Sequence, residues 1–289
     1  MTIKNQIEAL IGLLDDTDDF VFQEVSKKLI NLGEEIIPEL ERVWELSSNE
    51  FFQERIEIII HKIQYNFVKE NFQKWAETPE QELLEGAFLV AKLQYPNLSF
   101  DKILKKIEPI INNTWLEIND NLTALEKVKI LNHIMFSIHK FTRNSSNLTS
   151  PENFYINFVL DEKKGNPVSI ALVYAIVAQR LGIPIYGVNL PKNFILAYKS
   201  EIPIIDDSGE LDNDILFYIN PFNKGFVFGR REIDQFITQQ KLEFHESYYT
   251  ACSNKEIIKL IIESLIISYE QLGYADKVEE LSSLLEIVR

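Results

Sequence analysis

The sequence predicts an α+β fold, mostly helical, built around one buried helix packed on a small antiparallel sheet. Three observations carry this expectation. Residues 167–181 are apolar at almost every position and stand between a helix-starting Asn166-Pro167 and a helix-ending Gly182. Everything before them reads as helices joined by short links. Directly after them the pattern turns to short runs rich in β-branched and aromatic residues, and it returns to helix over 255–288.

The central helix has clear punctuation. Asn166 is a good N-cap, because its side-chain oxygen can accept one of the free first-turn N–H groups. Pro167 takes the first helical position, where a missing N–H costs nothing. Gly182 suits the left-handed residue just past the end. A helix apolar all round is buried rather than laid on a surface. Ser169 therefore falls in the first turn of a buried helix, where unpaired N–H groups and the helix dipole favour negative charge. That is a place for a nucleophile whose anion needs stabilising.

Composition narrows the partners. A net charge of −15 over 289 residues argues against a nucleic-acid backbone or an anionic membrane surface. No uninterrupted apolar run reaches the ~20 residues that a membrane helix needs. The start, Met1-Thr2-Ile3-Lys4-Asn5-Gln6, lacks a charged-then-apolar leader pattern. Cys252 is the only cysteine, so no intrachain disulfide forms and a reducing cytoplasm is expected. In that compartment the Asn-x-Ser/Thr triplets at Asn97, Asn112, Asn121, Asn144 and Asn147 are chance matches in an Asn-rich chain.

The first helices carry apolar residues at helical spacing: Ile3, Ile7, Leu10, Ile11 and Leu14, then Phe20, Val21, Val25, Leu29 and Ile30. The acidic turn 15–19 separates them, Gly33 closes the second, and Pro38 opens a third through Leu46. This order resembles a HEAT-type repeat, with a second, weaker unit over 50–75. Helices follow over 80–95, 100–111 and 122–140, and then a polar loop over 142–150. At the other end, Gly273 separates two helices in the manner of a tetratricopeptide-type hairpin. Three regions are thus expected: helical 1–145, a core over 146–250, and a hairpin over 251–289.

Within the core, 183–190 and 193–198 read as an antiparallel pair of strands broken at Pro191-Lys192. A third strand over 215–219, the turn Asn220-Pro221-Phe222-Asn223-Lys224-Gly225 and a short strand over 226–228 follow, then a helix over 231–240. The acidic run 206–214 lacks the position pattern of a calcium-binding loop and reads as a solvated surface. Neither a Cys/His metal spacing nor a glycine-rich phosphate loop is present, so no metal and no cofactor are expected. His61, His133, His139 and His245 are expected as solvated or core residues.

Three ordered blocks make the pattern specific: Gly165-Asn166-Pro167-Val168-Ser169, Gly187-Val188-Asn189-Leu190-Pro191-Lys192-Asn193-Phe194 and Tyr218-Ile219-Asn220-Pro221-Phe222-Asn223. Together they resemble the transglutaminase-like superfamily, in its SirB-type bacterial branch with helical flanks. The stretch 86–95 also resembles a helix of that branch. The resemblance implies a papain- and transglutaminase-like core over residues 150–240.

That superfamily works with a Cys at the start of the helix, a His on the next strand and an Asp on the strand after. The resemblance places Ser169, Asn193 and Asn220 at those positions, so it implies a lost triad. The chemistry agrees. A serine hydroxyl needs an adjacent general base, and an asparagine amide takes up no proton near neutral pH. The expected function is therefore binding or scaffolding of a protein or peptide, through a residual cleft at Asn166, Ser169, Lys192, Asn193, Asn220 and Asn223. Two rivals stand beside it. One is a hydrolase or acyltransferase using Ser169 with an unusual base such as Lys192. The other is a closed, structural core filled by Phe194, Tyr198 or Phe222.

Overall fold

The computed structural model describes residues 3–145, 147–191, 193–200 and 214–289. The chain divides into two compact units, Met1–Lys74 and Trp75–Arg289.

The first unit holds α1 (Ile3–Gly12), α2 (Asp19–Ile30), α3 (Ile37–Leu46) and most of α4 (Glu50–Glu77). Asp18 caps α2 by accepting from the Phe20 N–H at 2.8 Å. Leu14, Leu29, Leu40, Ile56 and Ile59 form its fully buried core. Arg55 is buried among them at 6% exposure. Its guanidinium lies 4.2 Å from the ring centroids of both Phe22 and Phe51, and it donates to the carbonyls of Leu14 and Asp16. A buried cation is tolerated where its donors are satisfied and aromatic faces surround it. The second, weaker repeat unit expected over 50–75 is instead one unbroken helix of 28 residues, α4. Nothing between Phe51 and Trp75 is Gly or Pro, so no residue stops it.

The second unit contains α5 (Leu83–Gln94), α6 (Phe100–Glu117), α7 (Ala124–Asn132), α8 (Ile156–Glu162) and α9 (Pro167–Arg180). After the strands come α10 (Arg230–Gln240), α11 (Asn254–Leu272) and α12 (Ala275–Ile287). The last two meet at Gly273, whose φ of +79° makes a left-handed break between them. Every residue of α9 from Ser169 to Ala178 is buried. This helix packs against α5, α6 and α8 and against the sheet.

Among the described residues the unit also has six short strands: β1 (Thr142–Arg143), β2 (Lys164–Gly165), β3 (Ile185–Val188), β4 (Ile195–Lys199), β5 (Ile215–Asn220) and β6 (Phe226–Phe228). The main sheet has the order β3-β4-β5-β6 and is antiparallel throughout, with Val188 opposite Ile195 and Leu196 opposite Ile219. On its β3 edge the Cys252 N–H donates to the Gly187 carbonyl at 2.8 Å, tying the entry of α11 to the sheet. Gly187 has to be glycine there. A Cβ would lie 2.6 Å from Phe194 Cζ and 2.9 Å from Cys252 Sγ.

Three further expectations change. The helix expected over 100–111 runs to Glu117, and the buried Thr114 bonds back to the Ile110 carbonyl within the added turn. The helix expected over 122–140 ends regularly at Asn132 and then widens over His133–Ile138, where the His139 N–H reaches the Ile134 carbonyl at 2.9 Å. The polar run expected as a loop over 142–150 opens with β1, which pairs in parallel with β2 just before α9. In the acidic run 206–214 only Asp214 falls within the described residues, and it pairs with Lys199 at 2.7 Å.

Candidate functional site

The site forms where β2 turns into α9. Asn166 and Ser169 close a reciprocal cap at this point. The Ser169 N–H donates to Asn166 Oδ1 at 2.9 Å, and the Asn166 N–H donates to Ser169 Oγ at 3.0 Å. The Ser169 hydroxyl lies 3.4 Å from the Asn166 carbonyl, the acceptor for its own proton. Ser169 is 1% exposed and Asn166 2%. Gly165 makes the room, since a Cβ at that position would collide with Ser169 Oγ. The hydroxyl is therefore engaged in both directions by the helix it starts.

Of the other cleft candidates, Asn193, Asn220 and Asn223 belong to the main sheet and its turns. Asn193 precedes β4, is half-buried, and donates its N–H to the Leu190 carbonyl at 3.0 Å. Asn220 ends β5, and its Oδ1 accepts the Asn223 N–H at 3.1 Å, closing the tight turn Pro221–Asn223. That turn packs on α9, with Pro221 buried and Asn223 exposed. Lys192 lies outside the described residues. Among the described residues no hydrogen bond joins Ser169, Asn193 and Asn220, and no titratable side chain bonds to Ser169 Oγ. No group of three or more His, Cys, Asp or Glu among them could hold a metal ion. Phe194, Tyr198 and Tyr218 are core residues.

No histidine hydrogen-bonds to Ser169 among the described residues. His133 and His245 are exposed. His139 is half-buried with its Nε2 3.0 Å from Asn113 Nδ2, which fits a neutral ring accepting there. Burial, with the nearby charge of Lys163, holds its pKa below the usual histidine value.

A second polar junction lies beside the site. The Tyr174 hydroxyl, on α9, donates to Asn132 Oδ1 at 2.9 Å, and Asn132 Nδ2 donates to the Gly225 carbonyl at 2.8 Å. Asn132 thus joins α7, α9 and the β5–β6 turn. Gly225 adopts φ of +71°, and a Cβ there would collide with the Asn132 amide. Burial lifts the Tyr174 pKa far above the ordinary tyrosine value, so its hydroxyl stays a neutral donor.

Next to this junction opens a cavity of about 190 Å³. Phe136, Phe141, Ile170 and Pro221 give it an apolar lining, and Arg143 and Lys224 add two cations. None of these six figured among the cleft candidates, but Asn223, which did, also lines the cavity, as does Phe222. Residues 80 and more positions apart meet here, and no local pattern announces that.

A family profile described as transglutaminase-like superfamily matches residues 101–263, more than half of the chain. The chain belongs to the transglutaminase-like superfamily. It is 27% identical over 151 residues to a UPF0162 protein of Xylella fastidiosa, covering 52% of this chain and 50% of that protein. It is 28% identical over 124 residues to a UPF0162 protein of Pseudomonas aeruginosa, with 43% and 46% covered. F-box only protein 21 of Mus musculus is 23% identical over 251 residues, covering 78% of this chain and 38% of that protein. The chain spans half the length or less of these curated relatives. No solved structure matches it. The transglutaminase-like region includes β1 to β6 and the whole of α9. No helix among the described residues is long and apolar enough to cross a membrane.

Proposed function

We propose that this transglutaminase-like chain is catalytically silent and serves as a binding or scaffold module for a protein or peptide. The observation that carries this is the state of the Ser169 hydroxyl, buried and held by Asn166 on both its donor and acceptor sides. A serine nucleophile has to be aimed at substrate and deprotonated by a neighbouring base. Ser169 is aimed at its own helix. The residues at the other two triad positions, Asn193 and Asn220, offer neither a proton acceptor near pH 7 nor a carboxylate.

The helical parts support the binding half of the reading. We take 1–145 as a helical region with a HEAT-like start, 146–250 as the core, and 251–289 as a tetratricopeptide-like hairpin. Helical-repeat surfaces commonly present extended faces to protein partners. The similarity to F-box only protein 21 extends over more of the chain than the family profile covers, so the flanks share in it. The acidic balance favours a protein over a nucleic acid, and the lone cysteine suits the cytoplasm.

The test is exposure of the native protein and of Ser169→Ala to a serine-reactive fluorophosphonate. The proposal expects no labelling of either. Labelling of the wild type that disappears in the variant would overturn it and establish the hydrolase or acyltransferase reading.

A further inference from the structure

We infer that the cavity between α9, β1 and the Pro221–Asn223 turn is a binding site for a small carboxylate bearing one compact apolar group. Three features of the cavity lead there. Its floor is apolar and aromatic, made by Phe136, Phe141, Ile170 and Pro221. Two exposed cations, Arg143 and Lys224, line it, and no acidic side chain does so among the described residues. Neither cation takes part in an ion pair among those residues. In a chain carrying a net charge of −15, two cations without an acidic partner among the described residues stand out over an apolar cavity.

The site is also held in shape before any ligand arrives. Phe136 stacks on Tyr174 with ring centroids 6.3 Å apart. Tyr174 donates to Asn132, and Asn132 in turn holds Gly225, the neighbour of Lys224. One asparagine therefore fixes the aromatic floor and the cationic rim together, which lowers the ordering cost of binding.

Size and charge define the ligand. A cavity of ~150 Å³ is enough for benzene, so about 190 Å³ holds a phenyl-sized group with a short acidic arm. The guanidinium offers a carboxylate a two-pronged contact and the ammonium a point charge. That chemistry has two sources: a free organic acid, or the C-terminal end of a peptide whose last residue is apolar. Neither Ser169 nor Asn193 lines the cavity, so capture there needs no reaction at the helix end. The inference rests on reading the chain as a binding module, yet it fails separately, because serine labelling reports on Ser169 and not on these cations.

The experiment is calorimetric titration of the full chain with 3-phenylpropionate, with its neutral amide, and with acetyl-Ala-Ala-Phe. Arg143→Gln and Lys224→Gln are titrated alongside; both side chains are exposed, so the variants keep the fold. We expect the carboxylates to bind, the amide to bind about tenfold more weakly or not at all, and each substitution to weaken carboxylate binding several-fold. Added salt weakens the carboxylate complex and spares whatever amide binding exists. A tighter tripeptide identifies a chain end as the ligand, and a tighter free acid identifies a small metabolite; either supports the site. Equal binding of acid and amide, carboxylate binding unaffected by both substitutions, or no binding of either carboxylate overturns it.

Discussion

Asn166 and Ser169 cap one another across the first turn of α9, each donating a backbone N–H to the side-chain oxygen of the other. Ser169, the residue proposed for the nucleophile position, is thereby part of the helix start. Two orphan donors of a buried helix end are satisfied by one residue pair. The same bonds that stabilise the fold occupy the hydroxyl a reaction would need.

The junction at Asn132 makes a stability prediction. Asn132→Ala strands the Tyr174 hydroxyl and the Gly225 carbonyl, and a buried polar group left without a partner costs about 1–3 kcal/mol. The double variant Asn132→Ala/Tyr174→Phe removes the stranded hydroxyl and should recover about 1 kcal/mol relative to Asn132→Ala alone. Denaturant unfolding of the wild type, Asn132→Ala, Tyr174→Phe and the double variant measures this. A double variant as unstable as the sum of its parts would mean that the hydroxyl finds another partner.

His139 predicts a pH effect with a definite sign. Its folded pKa lies below the ordinary value of 6.5, through burial first and Lys163 second. The unfolded chain therefore binds more protons just below that value, and stability falls as the pH drops through it. The contribution is fully present above the unfolded pKa. His139→Gln keeps a side-chain acceptor for Asn113 and removes the titration. The thermal midpoint of the variant should fall less than that of the wild type between pH of about 7.5 and 5. Equal falls would assign the acid sensitivity to other groups.

Cys252 should be a slow thiol despite being the only one. Burial pushes its pKa up to about 12, with Glu256 adding to the rise. At pH 8 this half-buried thiol is then thiolate far less often than an exposed cysteine. Native protein should react with a thiol reagent orders of magnitude more slowly than protein unfolded in denaturant. Comparable rates would show that the strand edge at Gly187 opens readily.

What the sequence revealed follows the range of the interactions involved. The start and end of α9 are written in neighbouring residues, Asn166, Pro167 and Gly182, so local chemistry predicts them. The β3–β4 pair is equally local. The junction at Asn132 is different, since its bond to Gly225 spans 93 positions and no pattern within a window reveals it. The cavity with Arg143 and Lys224 has the same character. The long α4 differs for another reason: a second repeat unit over 50–75 needs a break between helices, and no breaker residue supplies one. The asparagines at 193 and 220 are legible in the sequence. That Ser169 would spend its hydroxyl on Asn166 required the backbone path through Gly165.

The most direct measurement is a double-mutant stability cycle on Asn166→Ala and Ser169→Ala. Losing an N-cap costs about 0.5–2 kcal/mol, and reciprocal caps are coupled, so the second substitution should cost less than the first. The account predicts that Ser169→Ala destabilises the protein by about 1 kcal/mol and that the coupling with Asn166 is positive. Residues kept for reaction rather than for fold commonly show the opposite, because their removal relieves a strained site. A Ser169→Ala protein as stable as the wild type, or more so, would contradict the claim that Ser169 serves the helix.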